Sequence, residues 1–481
     1  MQRKFITNLA FLLLLNLLIK PFWIFGIDRG VQNEVGAGSY GIYAALFNFS
    51  FLFNILLDVG ITNFNNRNIA QHNHLLQKHL SGILGLRLVL ALVYFIISLC
   101  FALILGYKGD ELHLLSVLLI NQALISFILY LRSNITGLHL FRADSFISVL
   151  DRFIMILICG MLLWGGVTDT PFQIEWFVWS QTAAYLITTV ITLVFLSGKV
   201  HYMRIKWNPL FSLSILRKSY PYAILILLMT FYYRIDSVMI ERLLPDGAEQ
   251  AGIYAQALRL LDAANMLAYL FSVLLLPMFS QLISQKKSPE DLVSLSFSFI
   301  AIPAITIMAF GVTWSDEIMN ALYRNHVEES AQILRLTINS FIAISSVYIF
   351  GTLMTANGNL RELNLVALSG MVLNILLNFI FIPRMEAKGA AISGLITQFF
   401  TAAMQIALAH RIFAFRFRWK SMLLYILFAI LSYFVFQLCR LIPAAIIWQM
   451  SGAFVICTLL AVNLRLIQPK SLLSLLKNTD N

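Results

Sequence analysis

Nine charged side chains stand where charge is expensive. Arg87, Arg152, Arg234, Arg259 and Arg335, together with Asp58, Asp151, Asp236 and Asp262, all fall inside otherwise apolar stretches. A charge at the centre of a bilayer costs at least about 2.5–3.5 kcal/mol, so each of these needs a partner or a wet cavity. Arginine offers a planar fork of donors that matches phosphate oxygens, so the chemistry within reach is the binding of an anion such as a diphosphate or an acidic sugar. The competing role is an interhelical ion pair that fixes packing.

Depth and spacing rank these residues. Arg234 lies thirteen residues beyond Pro221, about 20 Å along a helix at 1.5 Å per residue, and Arg259 lies about 14 Å in from Gln250 on the opposite side. Asp262 follows Arg259 by three residues and shares its helix face, whereas Arg234 and Asp236, two apart, point to different sides. Arg234, Asp236, Arg259 and Asp262 are therefore the primary candidates for a substrate-binding cavity. Arg87, Arg152, Asp58 and Arg335 lie nearer the ends of their spans, where snorkelling or interfacial pairing is expected, and are secondary.

Composition dictates what must position them. Of 481 residues, 59% are hydrophobic and 12% charged, against about 25% charged in soluble domains, too few to cover a water-facing surface. A membrane-crossing helix needs about 20 apolar residues. Fourteen such stretches recur, over 5–26, 41–61, 81–106, 112–132, 145–165, 174–196, 221–243, 251–280, 292–313, 332–356, 363–382, 389–412, 421–439 and 443–466. The fold class is an all-α polytopic membrane protein of about fourteen transmembrane helices.

Loop charges orient the spans. With both termini cytoplasmic, 21 Lys and Arg fall on the cytoplasmic side and 8 on the other, Lys20 among the latter. The net charge of +11 is scattered between spans and forms no nucleic-acid footprint. Cys100, Cys159, Cys439 and Cys457 lie in apolar runs, with no CxxC pair and no His at a metal-ligand spacing, so neither a metal nor a cofactor is expected. The longest outer loop, 314–331, carries Asp316, Glu317, His326, Glu328 and Glu329 but is a small platform for catalysis. No catalytic residue is assigned, and the chain is expected not to be an enzyme.

An internal repeat divides the chain. Gly41-Ile42-Tyr43-Ala44 opens the second span and Gly252-Ile253-Tyr254-Ala255 the eighth, six spans later, so the two halves share one orientation as parallel repeats do. The expected organisation is an N-lobe over 1–198, a basic amphipathic cytoplasmic linker over 199–220, a C-lobe over 221–415, and two extra spans with a short tail over 416–481.

Several stretches resemble the polysaccharide flippases of the multidrug/oligosaccharidyl-lipid/polysaccharide exporter superfamily. In the first half these are Gly38-Ser39-Tyr40-Gly41-Ile42-Tyr43, Leu57-Asp58-Val59-Gly60-Ile61 and Arg67; in the second, Tyr233-Arg234-Ile235-Asp236 and Ala251 to Ala255. Ala356-Asn357-Gly358-Asn359, Leu377 to Pro383 and Lys388-Gly389-Ala390-Ala391 follow in the family's order. The resemblance implies two six-helix lobes around a central cavity that opens alternately to each side, with the two C-terminal helices outside that core. It implies a polyprenyl-linked glycan as substrate, membrane lipids as surroundings, coupling to a proton or sodium gradient, and a bacterial inner-membrane location. A polysaccharide polymerase and export machinery are the protein partners it suggests. A cation-coupled multidrug exporter of the same fold is the alternative, and a membrane polysaccharide polymerase or ligase a more distant one.

Overall fold

The computed structural model describes residues 15–16, 18–62, 65, 76–138, 140–167, 169–198, 209–415 and 419–466. Among them the chain forms fourteen α-helices. A helical stretch over residues 18–22 passes into a π-helix, Trp23–Asp28, and on into α1 (Arg29–Leu52). Then come α2 (Leu76–Ile104), α3 (Gly109–Gly137), α4 (Phe141–Trp164), α5 (Ile174–Ser197), α6 (Pro209–Leu243) and α7 (Gly247–Ser284). The chain continues through α8 (Glu290–Thr313), α9 (Ser315–Leu322), α10 (Val327–Thr337), α11 (Ser340–Ala356), α12 (Leu360–Phe413), α13 (Trp419–Arg440) and α14 (Ile446–Asn463).

The fourteen expected spans map onto these helices once two reversals are recognised. Gly36, at φ 78° and ψ 170°, breaks α1 into a first arm that completes span one and a second arm that is span two. Glu386, at φ 53° and ψ −139°, does the same inside α12, between spans eleven and twelve. The connection expected over 27–40 is thus helical on both sides of a single residue, because a backbone at positive φ reverses the chain without a loop. Two further expectations change. The 314–331 segment is largely helix, α9 and the start of α10, not a loop. Of the 199–220 linker, residues 199–208 lie outside the described residues, and 209–220 are the opening turns of α6, so Pro221 is inside a helix.

Outward faces of the helices are apolar, as lipid requires. Leu88, Leu92 and Ile96, one turn apart on α2, are each more than half exposed. The chain divides into two compact units. The first holds residues 1–255 with 322–325 and 382–387; the second holds the remainder. In the first, α1 packs on α3 and α6, and α5 packs on α3 and α4. Hydrogen bonds tie these helices, among them Asn54 to Gln122 at 2.8 Å and Thr182 to Asn121 at 2.7 Å. Such bonds are worth about 0.6 kcal/mol each within a bilayer, and many are needed. In the second unit α8 is central, flanked by α11, α13 and α14, with Trp314, Phe436 and Phe454 interlocked.

Candidate functional site

The strongest cluster lies inside the first unit, and half of it went unnoticed in the sequence. Arg152 stands eleven residues into α4, about 17 Å along its axis and near its middle. Its Nη1 donates to the Tyr185 hydroxyl at 3.2 Å and to Met155 Sδ at 3.4 Å, and Asp151 lies 4.0 Å from its Nε. The guanidinium sits 5.3 Å from the Trp23 ring centre and 5.9 Å from that of Tyr185. Lys20, in the first helical stretch, is within electrostatic reach of both Arg152 and Asp151.

Among the described residues, Arg152 and Lys20 thus both lie within electrostatic range of Asp151, beside a group of aromatic rings. Trp23 stacks on Phe177 at 5.7 Å, Tyr43 meets Phe177 edge-on at 5.2 Å, and Gln181 donates to the Tyr43 hydroxyl at 2.9 Å. Lys20 had been counted with the outer loop; it belongs to the first span because the helix runs on to Val35. Its signal was plain, a lysine inside an apolar run. Arg152 stands near the middle of α4, which begins at Phe141, four residues before the expected start of its span.

The four primary candidates divide between the units. Arg234 donates to Asn48 Oδ1 at 3.2 Å and lies 5.4 Å from the Phe51 ring centre, and Asn48 in turn donates to Ser237 at 3.0 Å. Asp236, buried, accepts from the Tyr254 hydroxyl at 2.9 Å. These two therefore point to different partners, as their spacing predicts. Arg259 and Asp262 are half-buried on α7 and belong to the second unit.

The secondary candidates resolve into pairs. Arg87, only 5% exposed, forms an ion pair with Asp58 and also donates to Ser126 O at 2.8 Å, Ser126 Oγ at 3.0 Å and Thr62 Oγ1 at 2.7 Å, with its guanidinium 4.6 Å from the Tyr130 ring centre. It does not snorkel; it is turned inward because five groups receive it there. Arg335 pairs with Asp316, both partly exposed, and donates to the buried Ser315 at 2.6 Å. A buried carboxylate that sequence reasoning passed over is Asp28, in the π-helix, which receives the Tyr40 hydroxyl at 2.9 Å.

At one end of the first unit a second polar group gathers. Arg242 bonds Glu111 at 2.7 Å and Glu241 at 2.8 Å, with its guanidinium 3.5 Å from the centre of the Tyr107 ring. Burial, then the Glu241 carboxylate, pushes the Tyr107 hydroxyl above its usual range. Nearby connections bond one another as well: Asn33 with Leu322 O at 2.9 Å, Glu34 with Arg324 at 3.9 Å, and Ala387 N with Gln250 Oε1 at 3.4 Å. These bonds all lie within the first unit, to which residues 322–325 and 382–387 also belong.

Residues 8–283 match the family described as polysaccharide biosynthesis protein. No curated protein matches the sequence. Among solved structures the chain is similar to a lipid II flippase MurJ in an inward closed conformation, with a TM-score of 0.74 at 15% identity over 96% of this chain and 100% of the other. It is also similar to a multidrug resistance MATE family transporter of the MOP superfamily, seen inward-facing at TM-score 0.59 and 14% identity over 83% of this chain and 98% of that one. A multidrug resistance MATE family transporter seen outward-facing matches at TM-score 0.59 and 12% identity over 85% of this chain and 95% of that one. The all-helical fold is therefore that of this transporter superfamily.

Proposed function

Because this chain belongs to the polysaccharide biosynthesis protein family, we propose that it is a flippase that carries a polyprenyl-diphosphate-linked oligosaccharide from the cytoplasmic to the outer leaflet of a bacterial inner membrane. Transport is by alternating access, driven by a proton or sodium gradient, with both termini cytoplasmic and lobes over 1–198 and 221–415. The chain itself makes and breaks no covalent bond; a polymerase and export machinery act on what it delivers.

Lys20 and Arg152 support this reading. Among the described residues, Lys20 and Arg152 lie within electrostatic range of the Asp151 carboxylate, a surplus of positive charge at that place. An anionic diphosphate suits that charge, and the guanidinium fork suits phosphate oxygens. A drug exporter for organic cations, the other function represented among the similar folds, calls for acidic and aromatic groups instead. Trp23, Tyr43 and Tyr185 supply rings, but the charge beside them has the wrong sign for a cation.

The test is transport in proteoliposomes with a fluorescent undecaprenyl-diphosphate sugar under an imposed proton or sodium gradient. Lys20→Gln and Arg152→Gln are each expected to slow crossing by about tenfold or more, the loss of one charge-assisted contact to phosphate. Arg234→Ala and Arg259→Ala test the residues first ranked by sequence. Absence of crossing, with efflux of cationic dyes by the same protein, would replace the flippase by the exporter.

A further inference from the structure

One side of α7 is polar where lipid would require apolar atoms. Ala264 and Ala268 form a buried ridge along this helix, and the ridge separates two faces that are not buried. Leu267 and Phe271 lie on one of them, exposed and apolar as a lipid-facing surface is. Asp262, Asn265 and Tyr269, spaced three and four residues apart, lie on the other. Asp262 and Asn265 stand about 18 and 22 Å along the helix from Gln250, within the roughly 30 Å that a span must cross. A carboxylate and an amide at that depth face water or a ligand in preference to lipid.

Two neighbouring helices extend this face. Tyr269, 54% exposed, meets Tyr348 of α11 at 6.2 Å, the rings tilted 68° to one another. One turn further along α11, Thr352 donates its hydroxyl to Tyr348 O at 2.5 Å, so its oxygen is left as an acceptor. A Cβ placed on Gly351 would lie 3.1 Å from Oε1 of Gln405, on the second arm of α12. Gln405 is 4% exposed, and neither its Oε1 nor Asn265 Oδ1 has a hydrogen-bond donor among the described residues. All of these residues belong to the second unit.

The unmet groups are acceptors, and that identifies the ligand. A buried acceptor without a donor is costly, so the patch calls for a molecule that donates hydrogen bonds. An ionised diphosphate offers only acceptors. An organic cation would be drawn to Asp262, but Arg259, three residues away on the same helix face, offsets that carboxylate. A sugar is a neutral polyol whose hydroxyls donate and whose C–H faces lie against phenol rings. We infer that the patch formed by Asp262, Asn265, Tyr269, Tyr348, Thr352 and Gln405 reads the glycan of the cargo, with residues distinct from Lys20 and Arg152. The inference rests on the transport reading above and supplies what that reading leaves open, the groups that tell one lipid-linked glycan from another.

The experiment measures binding of two kinds of probe to the full chain in nanodiscs: undecaprenyl diphosphate alone, and the same lipid carrying N-acetylglucosamine, galactose or glucose. A sugar-bearing lipid should bind the parent protein more tightly than the bare lipid does. Gln405→Leu and Asn265→Leu should each weaken the sugar-bearing lipid by about threefold to thirtyfold, the loss of one hydrogen bond to a buried group, and leave the bare lipid unchanged. Lys20→Gln should weaken both alike. Tyr269→Ala should lose the sugar-dependent gain and Tyr269→Phe should keep it. Gln405→Leu should not lower the melting temperature, because it removes an acceptor that no described residue satisfies. Equal affinity for bare and sugar-bearing lipids, or a gain untouched by these variants, overturns the inference and leaves the flippase reading standing; failure of the parent to bind any of the lipids overturns both. Binding of cationic dyes that falls in the same variants would make the patch a cation site and overturn the inference as well.

Discussion

Arg87 and Asp58 can be separated from the transport site by a double-mutant cycle whose outcome the geometry sets in advance. Arg87 is 5% exposed and Asp58 24%. Replacing Asp58 by alanine leaves a buried guanidinium whose partners among the described residues, Ser126, Thr62 and Tyr130, are neutral. The expected cost is about 3–5 kcal/mol, the range for removing one partner of a buried pair. Arg87→Met leaves a carboxylate that is a quarter exposed and still accepts from Thr62 N at 3.1 Å, so its cost should be nearer to about 1–3 kcal/mol. The double variant removes both charges and fills the space with apolar atoms, so it should cost less than Asp58→Ala alone. The singles should then exceed the double by about 2–3 kcal/mol or more in sum. Reversible unfolding in mixed micelles, followed by tryptophan fluorescence, measures all three. Transport measured on the same proteins completes the test, because a double variant that is stable should also be active. Additive singles would refute the pair as a structural unit, and a stable but inactive double would place Arg87 in the binding machinery instead.

Two further outcomes follow from backbone and surface. Glu386 holds φ 53° and ψ −139° at the reversal inside α12, a region that only glycine occupies without strain, so Glu386→Gly should raise stability by about 1 kcal/mol and Gly36→Ala, at φ 78°, should lower it by about 1–3 kcal/mol; thermal melts in detergent check both. Arg335→Ala breaks a pair whose members are 41% and 44% exposed, so it should change stability by less than about 1 kcal/mol and leave transport at the parental rate.

The spans were legible because lipid leaves so little choice: a helix that crosses must be apolar for about 20 residues, and that signal survives without any knowledge of neighbours. Their ends were not. A hydropathy run stops where polar residues begin, but the helix itself stops where the backbone is forced to turn. Gln32, Asn33 and Glu34 look like loop and are helix, because Gly36 does the turning. Gly36 announces itself by opening the small-residue run Gly36-Ala37-Gly38-Ser39; Glu386 carries no such mark. The 314–331 segment did carry one, since Ser315 followed by Asp316 and Glu317 is the composition of a helix start. Of the site, the cost of buried charge drew attention to Arg152, Arg87 and Asp58, and the structure gives each of them polar partners. Lys20 was lost because it was counted with the outer loop. Which charges pair is a matter of helix neighbours, and no spacing along one helix reports that.

The repeated tetrapeptide has a steric cause as well as a topological one. Gly41 lies against Ala248 and Gly252, and Gly252 against Ala37. Such a reciprocal crossing needs a small residue at the same register on both helices, so contact alone makes the two sequences alike at that point. The third residue of each copy is then carried to an equivalent buried position: Tyr43 receives Gln181, and Tyr254 donates to Asp236. One helix connects this crossing to the cation cluster. The stretch that bears Lys20 and Trp23 also bears Gln32, Asn33 and Glu34, about 20 Å further along. The π-helix Trp23–Asp28 begins at Trp23 and separates Lys20 from these three residues. Asp28, at the end of that π-helix, receives the hydroxyl of Tyr40 from beside Gly41, so the two arms of the helix pair are tied across the Gly36 reversal.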